Sequence, residues 1–237
     1  MSLLSGPRLP PRAGGPPGQL VVLLHGVGAD GNDLIGLAPA LAERLPHAAF
    51  VAPNAPQPCD MAPFGYQWFS LQERSPPALL AGVAATAPLL DAFLDAELGR
   101  HGLADHQLAL VGFSQGAMLS LYVAPRRARP MAAVLGYSGA LIGAETLAAQ
   151  ARSRPPVFLI HGDADEVVPV QALHAAVHGL QAADIPVTWA VHDGLPHAID
   201  PEGIAHGAAF LATAFDEAAK AAASAPSPEF DGLKDFR

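Results

Sequence analysis

Several kinds of residue that would point to particular functions are scarce in this chain of 237 residues. The one cysteine, Cys59, excludes an internal disulfide and gives no sign of an oxidising compartment. Charged residues make up only 15% of the chain, and its net charge of -9 argues against binding to a phosphate backbone. We therefore expect no nucleic-acid partner.

Long uninterrupted hydrophobic runs are also missing. No stretch reaches membrane-spanning length without a charge or a proline, and Arg8 and Arg12 lie in an N-terminus without the apolar core of a signal peptide. The sequence thus predicts a cytoplasmic protein without stable membrane insertion. Hydrophobic residues still amount to 51% of the chain, which is enough for a large core.

Short apolar runs alternate with helical patterns along most of the chain. Strands are predicted at 19–24, 48–52, 108–111, 132–136, 156–160 and 187–191, and helices at about 32–45, 76–98, 115–123, 143–152, 169–182 and 201–222. Such alternation is typical of an α/β fold, with a mostly parallel central sheet and helices on both faces. Within the second helical pattern, Pro88 should kink or divide the helix and Gly99 should end it.

The chain is long for an average domain, but its middle contains no obvious linker. We expect an irregular N-terminal segment over residues 1–18 and one domain over 19–222. The tail over 223–237 is expected to be disordered or to dock through Phe230 and Phe236.

The most informative stretch is 108–118, where a buried strand runs into the pattern Gly-Phe-Ser-Gln-Gly at 112–116 and then into a helix. This order is that of a nucleophile elbow, a tight turn that exposes a serine above the sheet. By chance, roughly one chain in ten with this glycine content would contain G-x-S-x-G. The position between strand and helix makes Ser114 the candidate nucleophile.

A serine nucleophile needs a base and a carboxylate that orients it, and both follow later strands. Asp163, Asp165 and Glu166 come directly after the strand at 156–160, and we choose Asp165 as the acid. Of the two histidines after the next strand, His197 lies in the loop before the last helix and is the predicted base. For His192, at the end of the strand, a structural hydrogen bond is the favoured role.

Acyl transfer also needs two hydrogen-bond donors for the developing oxyanion. The amide of Gln115, directly after the nucleophile, is one, and the amide of Val27 in the glycine-rich turn at 25–34 is the other. A phosphate loop is the rival interpretation of this turn, and it fails because the turn has no lysine. Asn32 or Asp33 is placed to cap the helix that follows.

A long irregular stretch follows the second strand and carries an aromatic cluster at 66–69, which includes Trp68. These aromatics either wall a substrate pocket or pin the loop to the core. Cys59 in the same stretch follows prolines in a loop and is interpreted as a loop residue, not as a catalytic thiol.

Four motifs together resemble the phospholipase/carboxylesterase family of α/β-hydrolases, which includes acyl-protein thioesterases. They are LHGVGAD at 24–30, GFSQG at 112–116, HGDAD with VP at 161–169, and LPH at 195–197. The resemblance implies an α/β-hydrolase fold without a large lid, with Ser114, Asp165 and His197 as catalytic residues and the amides of Val27 and Gln115 as the oxyanion hole. Residues 64–69 are similar to the family's aromatic loop beside the acyl site, which implies a substrate-binding role for Trp68. Dienelactone hydrolases share the scaffold but carry cysteine at the elbow, so Ser114 disfavours them.

The resulting expectation is a serine esterase that needs no cofactor and no metal. It would cleave short to medium acyl esters or thioesters of small molecules or lipids through an acyl-enzyme, with acyl-protein thioesterase as the alternative. A serine peptidase and a non-catalytic binding protein on the hydrolase scaffold are the less favoured hypotheses. Family members are often dimers, and the sequence leaves a homodimer open.

Overall fold

A computed structural model describes residues 4–224, and a seven-stranded sheet forms its centre. The strands are β1 (Arg8–Leu9), β2 (Gln19–Leu24), β3 (Ala48–Val51), β4 (Gln57–Pro58), β5 (Tyr66–Gln67), β6 (Leu108–Phe113), β7 (Ala133–Tyr137), β8 (Val157–Gly162) and β9 (Val187–His192). The main sheet has the order β1-β3-β2-β6-β7-β8-β9, and every pair except β1–β3 is parallel. The strands β4 and β5 form a separate antiparallel pair.

Seven α-helices are present in the described residues. They are α1 (Gly31–Leu34), α2 (Ala38–Ala42), α3 (Pro76–His101), α4 (Gln115–Val123), α5 (Ala144–Gln150), α6 (Gln171–Ala182) and α7 (Pro201–Ser224). Short 3₁₀ turns lie at Ile35–Leu37, Asp105–Gln107 and Ala124–Arg126. The α/β fold with a mostly parallel central sheet, which the alternating pattern predicts, is therefore confirmed.

The strand β2 shows why these apolar runs form a sheet covered on both faces. Leu20, Val22 and Leu24 belong to one buried cluster, together with side chains of α3 and α6. Val21 and Leu23 point the other way, into a second cluster with side chains of α2 and α7. Because successive side chains alternate between faces, a continuous apolar run fits a strand that is buried on both.

The first predicted helix differs from the structure in its cap and in its continuity. The cap is Asp30, whose carboxylate accepts hydrogen bonds from the amides of Asn32 and Asp33 at 2.8 and 3.2 Å, so neither of those residues is the cap itself. The segment is divided into α1, a 3₁₀ turn and α2, which ends at Ala42. Pro39, in the first turn of α2, has no amide hydrogen to continue the α1 ladder, which accounts for the restart.

The structure confirms the predicted start of α3 at Pro76 and corrects its division at Pro88 and its end at Gly99. The helix continues through Pro88, which is exposed, and passes Gly99 to end at His101. Gly102 has φ +66°, and the Leu103 amide donates to Leu98 O, so Gly102 is the left-handed residue that ends the helix.

By length and composition, α3 could cross a membrane. Its Val83, Leu90, Phe93 and Leu94 are buried in the core, and buried helices of compact domains meet the same criterion. The predicted tail, with Phe230 and Phe236, lies outside the described residues from 225 onward.

Candidate active site

Ser114 lies at the carboxyl end of β6, in a turn with an unusual backbone conformation. Its φ is +54° and its ψ is -116°, and the helix α4 begins at the next residue. The Ser114 amide donates to Tyr137 O on the neighbouring strand at 2.9 Å, which fixes the turn to the sheet. A positive φ costs a residue other than glycine energy, so the surrounding structure must hold Ser114 in place.

The two glycines of the motif are required by close packing around this turn. A Cβ on Gly116 would lie 1.9 Å from Leu24 O, and a Cβ on Gly112 would lie 2.5 Å from the amide of Ala117. Both neighbours are backbone atoms, which cannot rotate away. The strand and the helix can therefore approach each other only with glycine at these positions, as the elbow hypothesis requires.

The acid predicted from the sequence, Asp165, follows β8 and has a fully buried side chain. One carboxylate oxygen accepts hydrogen bonds from the amides of Val167 and Val168 at 2.9 and 2.8 Å. The other lies 2.7 Å from Nδ1 of His197. Burial tends to raise the pKa of the Asp165 carboxyl, but the hydrogen bonds from His197 and the two amides outweigh it and lower the pKa below its usual value. Asp165 thus stays ionised beside the imidazole.

The two rival acids have other surroundings. Asp163 is exposed and accepts a hydrogen bond from the Gly194 amide at 2.6 Å, which ties the turn after β8 to the loop after β9. Glu166 is exposed on the same turn. Asp165 is thus the carboxylate of the three that contacts His197.

His197 stands in the loop between β9 and α7, and its ring packs against the residue before the elbow serine. Its ring centroid lies 4.8 Å from that of Phe113, with the two planes inclined by 44°. Its Nδ1 faces Asp165, so Nε2 is the nitrogen left to exchange a proton with a substrate or a hydroxyl. The structure thus brings Asp165 and His197 together beside the elbow at one edge of the sheet.

His161 supports the acid and was not singled out in the sequence. It is the next-to-last residue of β8 and 1% exposed. Its Nε2 lies 2.7 Å from Val168 O and 3.3 Å from the Asp165 carboxylate. It therefore fixes the turn whose amides hold Asp165, and only its position four residues before the acid could have signalled this role.

The two predicted oxyanion donors are amides of the elbow and of the turn that follows β2. The amide of Gln115 is the first of α4, where helix geometry leaves N–H groups without partners and the helix dipole favours negative charge. The amide of Val27 has no hydrogen-bond acceptor within residues 4–224. The flanking Gly28 amide donates to Tyr66 O at 2.8 Å, so this turn is held in place by the aromatic loop.

The structure corrects the substrate-binding role of Trp68. Its side chain has no exposed surface, and its indole Nε1–H donates to His25 O at 2.9 Å, so in this conformation no substrate atom can touch it. A buried indole N–H needs an acceptor, and His25 O supplies one, so the ring can stay buried. The other interpretation, that the aromatics pin the loop to the core, is the one that fits.

The side chain of Gln115 completes the attachment of this loop, a contact that the sequence does not show. It is fully buried, with Oε1 accepting from the Trp68 amide at 2.9 Å and Nε2 donating to Phe69 O at 2.7 Å. Thr86 of α3 donates to Trp68 O at 2.6 Å from the other side. The residue whose amide is the predicted oxyanion donor therefore also holds the loop.

A cavity of about 480 Å³ lies elsewhere, between α7 and the segment before β6. Its lining includes Ala104, Met131 and Ala218, and it contains none of Ser114, Asp165 and His197. It opens near the amino ends of β6 and β7, whereas the chemistry of α/β folds lies at the carboxyl ends. This cavity is therefore separate from the candidate catalytic residues.

Comparison with known proteins identifies a family and related structures. Residues 12–215 match the model of the phospholipase/carboxylesterase family. The chain is 30% identical to acyl-protein thioesterase 1 of Mycosarcoma maydis, over 89% of this chain and 97% of that protein. It is also 30% identical to the esterase YpfH of Escherichia coli, over 78% of each. The crystal structure of esterase PE8 is similar with a TM-score of 0.84 and 44% identity, and the match covers 88% of this chain and 97% of that one.

Proposed function

We propose that this chain, which belongs to the phospholipase/carboxylesterase family, forms an acyl-enzyme on Ser114. It is a serine hydrolase that acts on carboxylic ester bonds of small-molecule or lipid substrates. The observation that carries the proposed roles is the 2.7 Å contact between Nδ1 of His197 and Asp165, with the imidazole packed beside the elbow. This arrangement orients Nε2 of His197 as a base.

In the first half of the reaction, Ser114 Oγ bonds to the carbonyl carbon while its proton passes to Nε2 of His197. The carbonyl oxygen becomes an oxyanion and accepts hydrogen bonds from the amides of Val27 and Gln115. The ionised Asp165 stabilises the imidazolium that forms. When the tetrahedral intermediate collapses, the ester bond breaks and the imidazolium gives its proton to the leaving alcohol or thiol.

Water repeats the sequence on the acyl-enzyme. His197 accepts a proton from the attacking water, and the same two amides stabilise the second oxyanion. The bond from the acyl carbon to Ser114 Oγ then breaks, and the imidazolium returns its proton to that oxygen. The products are the free acid and the resting enzyme.

Replacement of Ser114 tests the proposal. We expect Ser114→Ala to lower p-nitrophenyl ester turnover by on the order of a thousandfold or more, because no acyl-enzyme can form. Ser120→Ala is the matched control, since Ser120 is buried in α4, the helix that follows Ser114, and donates to Gly116 O. Turnover by Ser114→Ala near the wild-type rate would refute the assignment.

The specificity depends on the length of the acyl group and on whether the leaving atom is oxygen or sulfur. We favour short to medium acyl oxygen esters, because the 44% identical structure is that of an esterase. The relative named acyl-protein thioesterase 1 supports thioester cleavage as the second candidate. A chain-length series of p-nitrophenyl esters beside a palmitoyl thioester peptide separates the two, and an anilide substrate tests peptidase activity.

A further inference from the structure

An unpartnered imidazole nitrogen lies at the end of the edge strand β9. His192 is the last residue of β9, and its side chain is 9% exposed. Its Nδ1 lies 2.9 Å from the Asp200 carboxylate, while its buried Nε2 has no hydrogen-bond partner in the described chain. A buried polar atom without a partner is costly and calls for an explanation.

Two further side chains of types that bind metals lie near His192 on α7. Glu202 and His206 are four residues apart and therefore lie on one side of the helix. One ligand atom from each of Glu202, His206 and His192 lies within 4.8 Å of the other two. The rings of His192 and His206 meet edge to face with centroids 6.0 Å apart.

We propose that His192, Glu202 and His206 bind a divalent transition-metal ion of the Zn²⁺ type. Two imidazoles and one carboxylate are a ligand set that suits Zn²⁺, whereas Mg²⁺ prefers oxygen ligands. The three ligand atoms must lie closer together than 4.8 Å in the bound state, because each would be about 2.0–2.2 Å from the Zn²⁺. Glu202 and His206 are exposed and can rotate to meet the fixed His192, and water takes the fourth position.

Asp200 is placed to orient the buried ligand. Its carboxylate accepts a hydrogen bond from Nδ1–H of His192, which leaves the Nε2 lone pair available to the proposed ion. A carboxylate behind a metal-binding histidine fixes the ring and raises its basicity. Asp200 also accepts a hydrogen bond from the Gly203 amide at 2.8 Å, so the carboxylate is itself held by the start of α7.

The position of this site relates it to the catalytic loop. His192 precedes His197 by five residues, and Asp200, Glu202 and His206 follow it. A bound ion would therefore join the two ends of the loop that carries the predicted base. Its role is structural, because the proposed reaction requires no metal at Ser114.

Calorimetric titration of Zn²⁺ into the full chain, free of any histidine tag, tests the proposal. The parent protein for the test is H174A/H178A, because His174 and His178 are exposed four residues apart on α6 and can hold a metal ion themselves. We expect this parent to bind one Zn²⁺ and no Mg²⁺. We expect Glu202→Gln and His206→Ala each to weaken Zn²⁺ binding by about tenfold or more.

Two comparisons keep this test separate from the esterase proposal. His197→Ala in the same parent should bind Zn²⁺ as before, which excludes the catalytic histidine as the ligand. In metal-free buffer, Glu202→Gln and His206→Ala should hydrolyse esters at the parent rate. No Zn²⁺ binding by the parent, equal affinity in the Glu202 and His206 variants, or loss of binding in His197→Ala would overturn the proposal.

Discussion

At the scale of single residues, the site depends on groups that hold the catalytic side chains in place. Asp165 is useful because two amides and His197 fix its carboxylate and keep it ionised. His25 lies below the Val27 turn, where its Nδ1 contacts Gly26 O at 2.7 Å and its Nε2 accepts from the Ala55 amide at 3.0 Å. The side chains of Asp165 and His25 are each held in one orientation by these hydrogen bonds.

We expect Asp165→Asn to lower kcat by roughly 10³–10⁴-fold with little change in KM, because an amide neither stabilises the imidazolium nor holds its tautomer. Asp163→Asn is the matched control. It retains the oxygen that accepts from Gly194 and should leave kcat near the wild-type value. Steady-state kinetics on a p-nitrophenyl ester measure both, and similar kcat values for the two variants would contradict the role of Asp165.

His25 should make stability depend on pH. Burial lowers the pKa of His25 below its usual value, against the opposing effect of the hydrogen bond to Gly26 O and of Asp30 and Asp33. The unfolded chain then binds a proton more readily, so His25 stabilises the fold fully above about pH 6.5 and less as pH falls toward the lowered pKa.

Urea unfolding of the wild type and of His25→Gln between pH 7.5 and pH 5 measures this effect. The difference in unfolding free energy should shrink as the pH falls. His47→Gln, a change at an exposed histidine, should leave the unfolding free energy close to wild type throughout. A difference between wild type and His25→Gln that is constant with pH would count against a buried neutral imidazole.

Ser114, Asp165 and His197 could be chosen from sequence because each follows a strand that the apolar pattern marks, and parallel strands bring their carboxyl ends to one edge. Trp68 could not be placed in this way. Its burial depends on the main-chain oxygen of His25, 43 positions earlier, and no local pattern encodes that acceptor.

At the scale of the elements, the interiors of strands and helices agree with the sequence pattern better than their ends do. The helix α4 was predicted with its observed bounds, 115–123, because the elbow before it and Pro125 after it are both strong signals. The sequence places the end of α3 at Gly99, the first of two glycines that could end the helix, whereas the structure ends it at His101, directly before Gly102. Only the backbone shows that Gly102 has the positive φ.

Substitution of Gly99 and of Gly102 should change the stability of the protein in opposite directions. A Cβ at either glycine meets no atom within 4 Å, so the two substitutions differ in backbone conformation alone. Gly102→Ala should destabilise the protein by about 1 kcal/mol because alanine disfavours a positive φ. Gly99→Ala should stabilise it by about 0.5–1 kcal/mol because alanine favours the helix interior. Urea unfolding of both variants checks the signs, and the same sign for both would contradict the assigned end.

At the scale of the whole molecule, a group of ion pairs joins α3 to the segments that precede β6 and β7. Arg127 is 7% exposed and contacts Asp91 and Asp95 of α3 and the buried Asp105, at 2.6, 2.7 and 2.7 Å. Arg129, which is 78% exposed, contacts the other oxygen of Asp105 at 2.6 Å. The sequence gives no sign of this group, because its members are brought together only by the fold.

We expect Arg127→Ala to destabilise the protein by about 3 kcal/mol, since it leaves a buried carboxylate without its buried partner. Arg129→Ala should cost about 1 kcal/mol or less because that guanidinium is exposed. Unfolding in urea at neutral pH distinguishes the two. Equal effects would show that the buried member of the group has no special importance.

The family and the fold could be predicted from four short motifs because each fixes a turn at the same edge of the sheet. The central claim is that Ser114 becomes covalently acylated with His197 as its base. Mass spectrometry of the protein after treatment with a fluorophosphonate tests this most directly. We expect one adduct, on the peptide that contains Ser114, and far slower labelling in His197→Ala. An ester-hydrolysing wild type that stays unlabelled, or an adduct on another residue, would contradict it.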